Sequence, residues 1–346
     1  SKAPTVSFIA CNLVVLSKMA LQRAWYRPKL SAWLLLLLPL QALFVGVSQC
    51  RRWCYQWGWC ARYRAPVPVI VVGNISVGGT GKTPVTEALV QWLKQQGYRP
   101  AIISRGYGAS GPFPQLVTAQ SVPQAVGDEP KLLAQRTQVP VAVSPNRQHA
   151  IELILQHFPD TNLILSDDGL QHEPLHRDLE IAVVDGERGV GNGWRLPMGP
   201  LRDPVQRLQQ GDLVVQNGGE QARYGHRFTL QPNGWRRVLD DEPVAMPTGR
   251  AIAVAGIGYP QRFFNTLQQL SMTLVECRAF ADHHPYTAAD FAEFDPALPV
   301  VMTEKDAAKC REFAQENWYY LSVTATFEDA FWQQFSQHLS RMTQET

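Results

Sequence analysis

The stretch VIVVGNISVGGTGKTPVTEALVQWL, residues 69–93, constrains this chain more than any other. Its opening run is continuously apolar and β-branched, as in a strand buried on both faces of a parallel sheet. A glycine-rich turn follows, then a segment in which Val85, Ala88, Leu89, Trp92 and Leu93 fall on one stripe at helical spacing. Pro84 suits the first turn of that helix and Gly97 its C-terminal end. Glycines in such a turn let backbone amides close on phosphate oxygens, and the helix dipole favours the negative charge. Read as a Walker A loop, Gly81, Lys82 and Thr83 fill the last three places, with Gly78 and Gly79 inside the turn. The nucleotide-binding residues are then Ser76, Val77, Gly78, Gly79, Thr80, Gly81, Lys82 and Thr83. Lys82 would reach the β and γ phosphates of ATP and Thr83 would hold Mg²⁺. Ser76 stands where the first glycine of the pattern belongs, and a purely structural glycine turn is the competing reading.

A phosphate loop needs a metal-holding carboxylate at the end of a neighbouring strand, and NLILSDDGLQH supplies Asp167 and Asp168. VGDEPKLL places Asp128 and Glu129 before a helical stretch, where Asp128 could equally be an N-cap and Glu129 a first-turn acid. FADHHPY contributes His283 and His284. Arg105 of SRGYG and Arg147 of PNR are candidate donors to phosphate oxygens, against a plain surface role.

From residue 67 onward, short strands alternate with helical stretches, the pattern of a parallel sheet covered on both faces. The strands are VPVIVVG, PAIISRG, VPVAVS, TNLILSDD, LEIAVVDG and DLVVQNG. HRFTLQPNGWRRVLDD, residues 226–241, then reads as a hairpin about a Pro-Asn-Gly turn. A second α/β set follows, with GRAIAVAG, a helix from Pro260, LPVVMT and NWYYLSV. A chain of 346 residues exceeds the size of one ordinary core, which agrees with two units. The expected architecture is therefore α/β. A P-loop NTPase-type unit, residues 66–225, is joined by the 226–241 linker to a smaller α/β unit, residues 242–346. A membrane-associated segment, residues 1–65, precedes them.

That segment contains WLLLLLPLQALFVGV, residues 33–47, an apolar run shorter than the roughly 18 to 20 residues that span a bilayer. Arg23, Trp25, Tyr26, Arg27 and Lys29 precede it, and Arg51, Arg52, Trp53, Tyr55, Trp57 and Trp59 follow. Indoles at headgroup level and cations on anionic lipid suit a helix dipping into one leaflet. No small-residue cleavage site of a signal peptide follows the run. Met19 opens a self-contained anchor, so residues 1–18 are read as an extension without function. Cys50, Cys54 and Cys60 lack a CxxC pair and a nearby histidine, so reduced thiols are expected rather than a metal site. A net charge of +2 gives no reason to expect a nucleic acid partner.

Taken in order, VPVIVVGNISVGGTGKTP, ISRGYG, VGDEP, SDDGLQH, LPMGPLRDP, GIGYPQRFF, FADHHPY and TEKDAAKC resemble the motif series of the lipid A 4'-kinases, over nearly the whole chain. The resemblance implies a two-lobed kinase acting on the 4'-hydroxyl of a tetraacyldisaccharide 1-phosphate, on the cytoplasmic face of the bacterial inner membrane. It implies Lys82 and Thr83 on phosphate and Mg²⁺, Asp167 and Asp168 at the metal, and Asp128 as catalytic base. His283, more than His284, resembles the histidine that supports the base. Ser76 matches that family's form of the loop. Two other readings compete. A membrane-bound partition-type switch ATPase would carry lysine where Val77 stands, and a GTPase would read TEKD, residues 303–306, as its guanine motif but needs lysine where Glu304 stands.

Overall fold

A computed structural model describes residues 21–27, 29–282 and 284–344. Its strands form one mixed sheet, in which β1 (Val69–Gly73) lies between β5 (Leu163–Asp167) and β6 (Leu179–Asp185), parallel to both. β2 (Pro100–Ser104), β4 (Val141–Val143) and β3 (Gln115–Leu116) continue outward from β5. On the other side come β7 (Leu213–Asn217), β8 (His226–Arg237), β13 (Trp318–Phe327), β12 (Val300–Thr303), β10 (Arg250–Ala255) and β11 (Thr273–Ala279). The short β9 (Pro243–Val244) pairs with β8.

Successive residues of a strand face opposite sides. Ile70 and Val72 therefore join a core with Val85, Leu89, Val90 and Leu93 of α2 (Lys82–Gln95), while Val69 and Val71 join a second core with Ala150, Ile151 and Ile154 of α4 (Arg147–His157). Both faces being covered explains why β1 is apolar throughout. The last helix, α7 (Asp329–Gln344), returns to the first core, where Phe331, Phe335 and Leu339 pack with Leu89 and Leu93. Beyond β13, Ile252 and Val254 of β10 face one core and Ala251, Ala253 and Ala255 another, the latter closed by Phe263, Phe264 and Leu267 of α5 (Pro260–Gln269).

The connection between the two strand sets differs from the expected hairpin. Residues 226–237 form one long strand that runs parallel to β7 at its start and antiparallel to β13 along its length. Leu321 pairs with Trp235 and Val323 with Pro232, so Asn233 and Gly234 stand opposite Ser322 alone. The Pro-Asn-Gly signal thus marks a bulge rather than a turn, with Gly234 at φ 105°. A bulge and a tight turn ask for the same residues, which is why the sequence did not separate them.

The N-terminal apolar run is part of a longer element. A 3-10 turn (Ala32–Leu37) leads into α1 (Leu38–Gln56), and the 25 residues together are long and apolar enough to cross a membrane by length and composition. Leu36, Leu40, Leu43 and Val47 are exposed, as are Trp53, Trp57 and Trp59. Both ends are nonetheless fastened to the body. Leu34 is buried with Ala24 and Trp25, against Val77 and Leu196, and Trp25 Nε1 donates to the Pro197 carbonyl at 3.0 Å. At the other end Arg52 pairs with Asp203 at 2.7 Å and with Glu173 at 3.6 Å.

Candidate active site

β1 ends where the glycine-rich turn begins, and α2 opens at its far side with Gly81 as N-cap. Gly78 and Gly81 have φ 99° and 96°, a left-handed conformation that side chains resist. At Gly81 a Cβ would also meet Asn217 Nδ2 at 2.7 Å. That amide instead donates to the Thr80 carbonyl at 3.1 Å. Asn74 fixes the inside of the turn: its Nδ2 donates to the Gly78 carbonyl at 3.3 Å, and its Oδ1 accepts from Lys82 Nζ at 3.3 Å. Arg188 braces the outside, donating through Nη2 to the Gly79 carbonyl at 3.0 Å and through Nη1 to the Gly258 carbonyl at 2.9 Å. Asp185 and the ring of Tyr26 hold that guanidinium in place. The turn is thereby clasped to the loop between β10 and α5.

The register of β1 with β5 sets Asp167 beside Val72, one residue before β1 ends. Asp167 and Asp168 then diverge, because Asp168 takes φ 47° and leaves the strand. Asp168 accepts two bonds from Arg202 Nη1, at 3.1 and 3.2 Å, and lies 3.7 Å from Lys82 Nζ. Burial works to raise its carboxyl, but Lys82 and Arg202 win and hold it below the usual range. Asp167 is fully buried, and its Oδ1 has no hydrogen-bond partner among the described residues. Burial first, then the charge of Glu129, push its carboxyl up to about 7 against the pull of Lys82. A buried carboxylate oxygen without a donor beside a phosphate loop suits a cation, and the hydroxyl of Thr83 in the first turn of α2 adds the hard oxygen Mg²⁺ prefers. The expected residue set therefore fits the ion, with Asp167 freer to coordinate than Asp168.

Asp128 is the first residue of α3 (Asp128–Thr137), and Gly127, at φ 94°, is the N-cap. The capping alternative for Asp128 thus does not hold. Asp128 pairs with Lys309 at 3.6 Å, Glu129 with Lys305. Lys82, Asp128, Glu129, Asp167 and Asp168 line one cavity of 1790 Å³, which α1 walls with Phe44, Val47, Ser48 and Arg51. Arg105 and His172 line it too. Burial, then Arg147, Arg51, Arg177 and Arg105, push the His172 imidazole down to about 4, so His172 is neutral beside these arginines.

A strand, phosphate loop and helix with an acidic partner strand define many phosphotransferases, and comparison with known proteins narrows the choice. The model of the family described as tetraacyldisaccharide-1-P 4'-kinase matches residues 33–340. The chain belongs to this 4'-kinase family. The tetraacyldisaccharide 4'-kinase of Idiomarina loihiensis is 50% identical over 89% of this chain and 93% of its own length. That of Pasteurella multocida is 52% identical over 87% and 93%. A solved structure of LpxK from Aquifex aeolicus in complex with ATP superposes with TM-score 0.74 at 28% identity, covering 90% of this chain and 99% of that one. The chain is accordingly a kinase and uses ATP; a switch ATPase of the partition type finds no support.

The structure also places three other residues of this 4'-kinase family member that the sequence singled out. Arg147 is buried and donates to the Ser144 carbonyl at 3.3 Å and to the Asp167 carbonyl at 2.9 Å, so it braces the acidic strand end from behind. His284 lies 3.3 Å from Asp290 and packs between Phe280 and Tyr286, which commits it to the second strand set. His283 lies outside the described residues. Asp306 of TEKD accepts from the Gly256 amide at 3.0 Å and from the Thr303 hydroxyl at 2.6 Å; it ties α6 (Glu304–Cys310) to β10 and reads no base. Sequence reasoning assigned no role to Arg188, Arg202, Lys305 or Lys309. Arg202 and both lysines lay inside quoted motifs, LPMGPLRDP and TEKDAAKC, and polar residues inside such motifs were the available signal. Arg188 carried none.

Proposed function

We propose that the chain transfers the γ-phosphate of ATP to the 4'-hydroxyl of a tetraacyldisaccharide 1-phosphate, with Asp128 as general base, at the cytoplasmic face of the bacterial inner membrane. The observation that carries this reading is the single cavity in which Lys82, Asp128 and Asp167 meet under the apolar helix α1. In the reaction the 4'-hydroxyl gives its proton to the Asp128 carboxylate as its oxygen bonds to the γ-phosphorus. The bond from that phosphorus to the β–γ bridging oxygen breaks, and ADP departs. Lys82 and the loop amides stabilise charge on the phosphates, and Asn74 and Asp168 hold the lysine for that task. Thr83 and Asp167 would hold Mg²⁺, with Asp168 beside them; the ion neutralises phosphate charge when bound. His283 is the histidine proposed to support the base.

The acceptor is amphiphilic, and so is its route. Phe44, Val47, Leu21 and Trp25 offer an apolar stretch of cavity wall, and Arg51 and Arg105 a cationic one for the 1-phosphate. Fastening of the 3-10 turn at Leu34 and of α1 at Arg52 favours a helix lying in one leaflet over one standing across the bilayer. We further propose that residues 66–225 and 242–346 move as two bodies about 226–241, with α7 travelling with the first because it packs on α2.

Incubation of the purified protein with γ-labelled ATP and the disaccharide lipid should move label into the lipid, and Lys82→Ala should lower transfer by roughly three orders of magnitude or more while the protein stays folded. Label found only in inorganic phosphate, or near-normal transfer by Lys82→Ala, would sink the reading.

A further inference from the structure

Helices α3 and α6 come from opposite ends of the sheet order, yet three ion pairs stitch them together. Asp128 meets Lys309 at 3.6 Å, Glu129 meets Lys305, and Arg136 Nη2 meets Glu304 Oε2 at 3.0 Å. The seam runs the length of α3, from its first turn to its last. Its members are not equivalent. Lys305 lines the cavity, whereas Lys309 lies outside the lining and its side chain is only 12% exposed. Lys309 thus touches the Asp128 carboxylate from behind, while Asp128 faces the cavity where the acceptor must lie.

We propose that Lys309 is a positioning residue for Asp128: its ammonium keeps the carboxylate ionised and fixes its rotamer, so that an oxygen points into the cavity toward the attacking hydroxyl. This rests on the reading of Asp128 as base. An ammonium at 3.6 Å favours the charged form of a carboxylate, and the N-terminal end of α3 acts in the same direction. The surroundings otherwise work against it. Glu129, Asp167, Asp168 and Asp282 share the cavity wall, and Lys82, Lys305 and Arg105 are among its cations. Lys82 is engaged with Asn74 and Asp168, and Lys305 with Glu129, so Lys309 is the cation given to Asp128. Without it the carboxylate loses the neighbouring positive charge that favours its base form, and a protonated carboxyl cannot take a proton from the substrate.

The test measures kcat against pH at saturating ATP and acceptor lipid, ATP binding and thermal stability for Lys309→Met, Lys309→Arg, Arg136→Met and Asp128→Asn in the full chain. The acid limb of Lys309→Met should lie above that of wild type, so that kcat falls severalfold at the acid end of the profile and recovers toward pH 8. ATP affinity should stay within about twofold, and Lys309→Arg should keep the wild-type limb because a single-point contact needs only the charge. Arg136→Met breaks the far end of the seam and should cost stability without moving the limb. An unmoved limb in Lys309→Met, with Asp128→Asn inactive, would overturn the proposal and leave Lys309 as a tie between helices. So would an equal shift in Arg136→Met. Turnover by Asp128→Asn near the wild-type rate would instead remove the base reading, whatever Lys309 does. Should Lys309→Met not fold, Lys309→Gln keeps the length and removes the charge, with the same two outcomes.

Discussion

Gly258→Ala places one methyl group between two backbones and asks whether the phosphate loop depends on a residue far from it in sequence. A Cβ at Gly258 would lie 2.6 Å from the Gly79 amide nitrogen and 3.3 Å from Gly78 Cα. Both neighbours are main chain, so no side-chain end can swing aside. The loop and the β10–α5 connection must part by roughly 0.8 Å to reach ordinary contact. Parting them pulls on Arg188, whose two amino groups bridge the Gly79 and Gly258 carbonyls. Overpacking of this kind costs about 1–3 kcal/mol in stability. The larger effect falls on catalysis, because a misplacement near 1 Å in groups that hold a reacting phosphate lowers rate by up to about a hundredfold. Steady-state kinetics should therefore show kcat/KM for ATP down by about ten- to a hundredfold, with a cooperative melt a few degrees lower. Gly249→Ala is the control: its φ of 88° makes alanine costly, but nothing lies within 4 Å of the added methyl. It should lower the melting temperature comparably and leave ATP kinetics alone. A folded Gly258→Ala enzyme with wild-type kcat/KM would refute the claim that this connection positions the loop.

Two further outcomes follow from the site and the anchor. Asp167 has a folded pKa raised to about 7, above the ordinary value near 3.9, so between those values the folded state binds a proton that the unfolded state lacks, and stability falls as pH rises through that window. Asp167→Asn should then gain on wild type from about pH 4 to pH 7 in metal-free buffer, by at least about 2 °C in Tm, and lose the Tm increase that Mg²⁺ with ATP gives wild type; parallel Tm profiles for the two proteins would contradict this. Replacing Leu36, Leu40 and Leu43 together by serine should reduce liposome flotation at least about tenfold, since each buried leucine contributes about 1.5–3 kcal/mol, while leaving hydrolysis-independent ATP binding unchanged; undiminished flotation would place the lipid contact elsewhere.

The parts of this protein legible in its sequence are those where a local pattern has one physical use. A β-branched run, three glycines and an apolar helical stripe can hardly be anything but strand, phosphate turn and helix, and the fold realises them as β1 and α2. The acidic pair at the end of β5 was legible for the same reason, but the division of labour inside it was not. Whether Asp167 or Asp168 is free to coordinate depends on Arg202, more than thirty residues downstream, and on a φ of 47° at Asp168 that no propensity announces. The Pro-Asn-Gly segment failed from ambiguity, since a bulge and a turn need the same backbone freedom.

The helix α1 was legible as an apolar helix, but its length was not. Counting apolar residues from 33 to 47 stopped at Ser48, because the residues that carry the helix on to Gln56 are polar and aromatic on the side that meets the body. Arg51 and Arg52 looked alike as headgroup cations. In the fold both line the cavity, but Arg52 is spent on Asp203 and Glu173. That difference matters for function, because Asp203 also accepts from Gln171, at 2.7 Å, and Gln171 donates to the Asn74 carbonyl at 3.0 Å. A chain of three polar contacts therefore runs from the end of the apolar helix to the residue that holds Lys82. A surface helix and a phosphate loop joined this way give a physical reason for an amphiphilic acceptor to be handled beside the nucleotide: the exposed apolar helix and the phosphate loop are fixed to one another by buried charge.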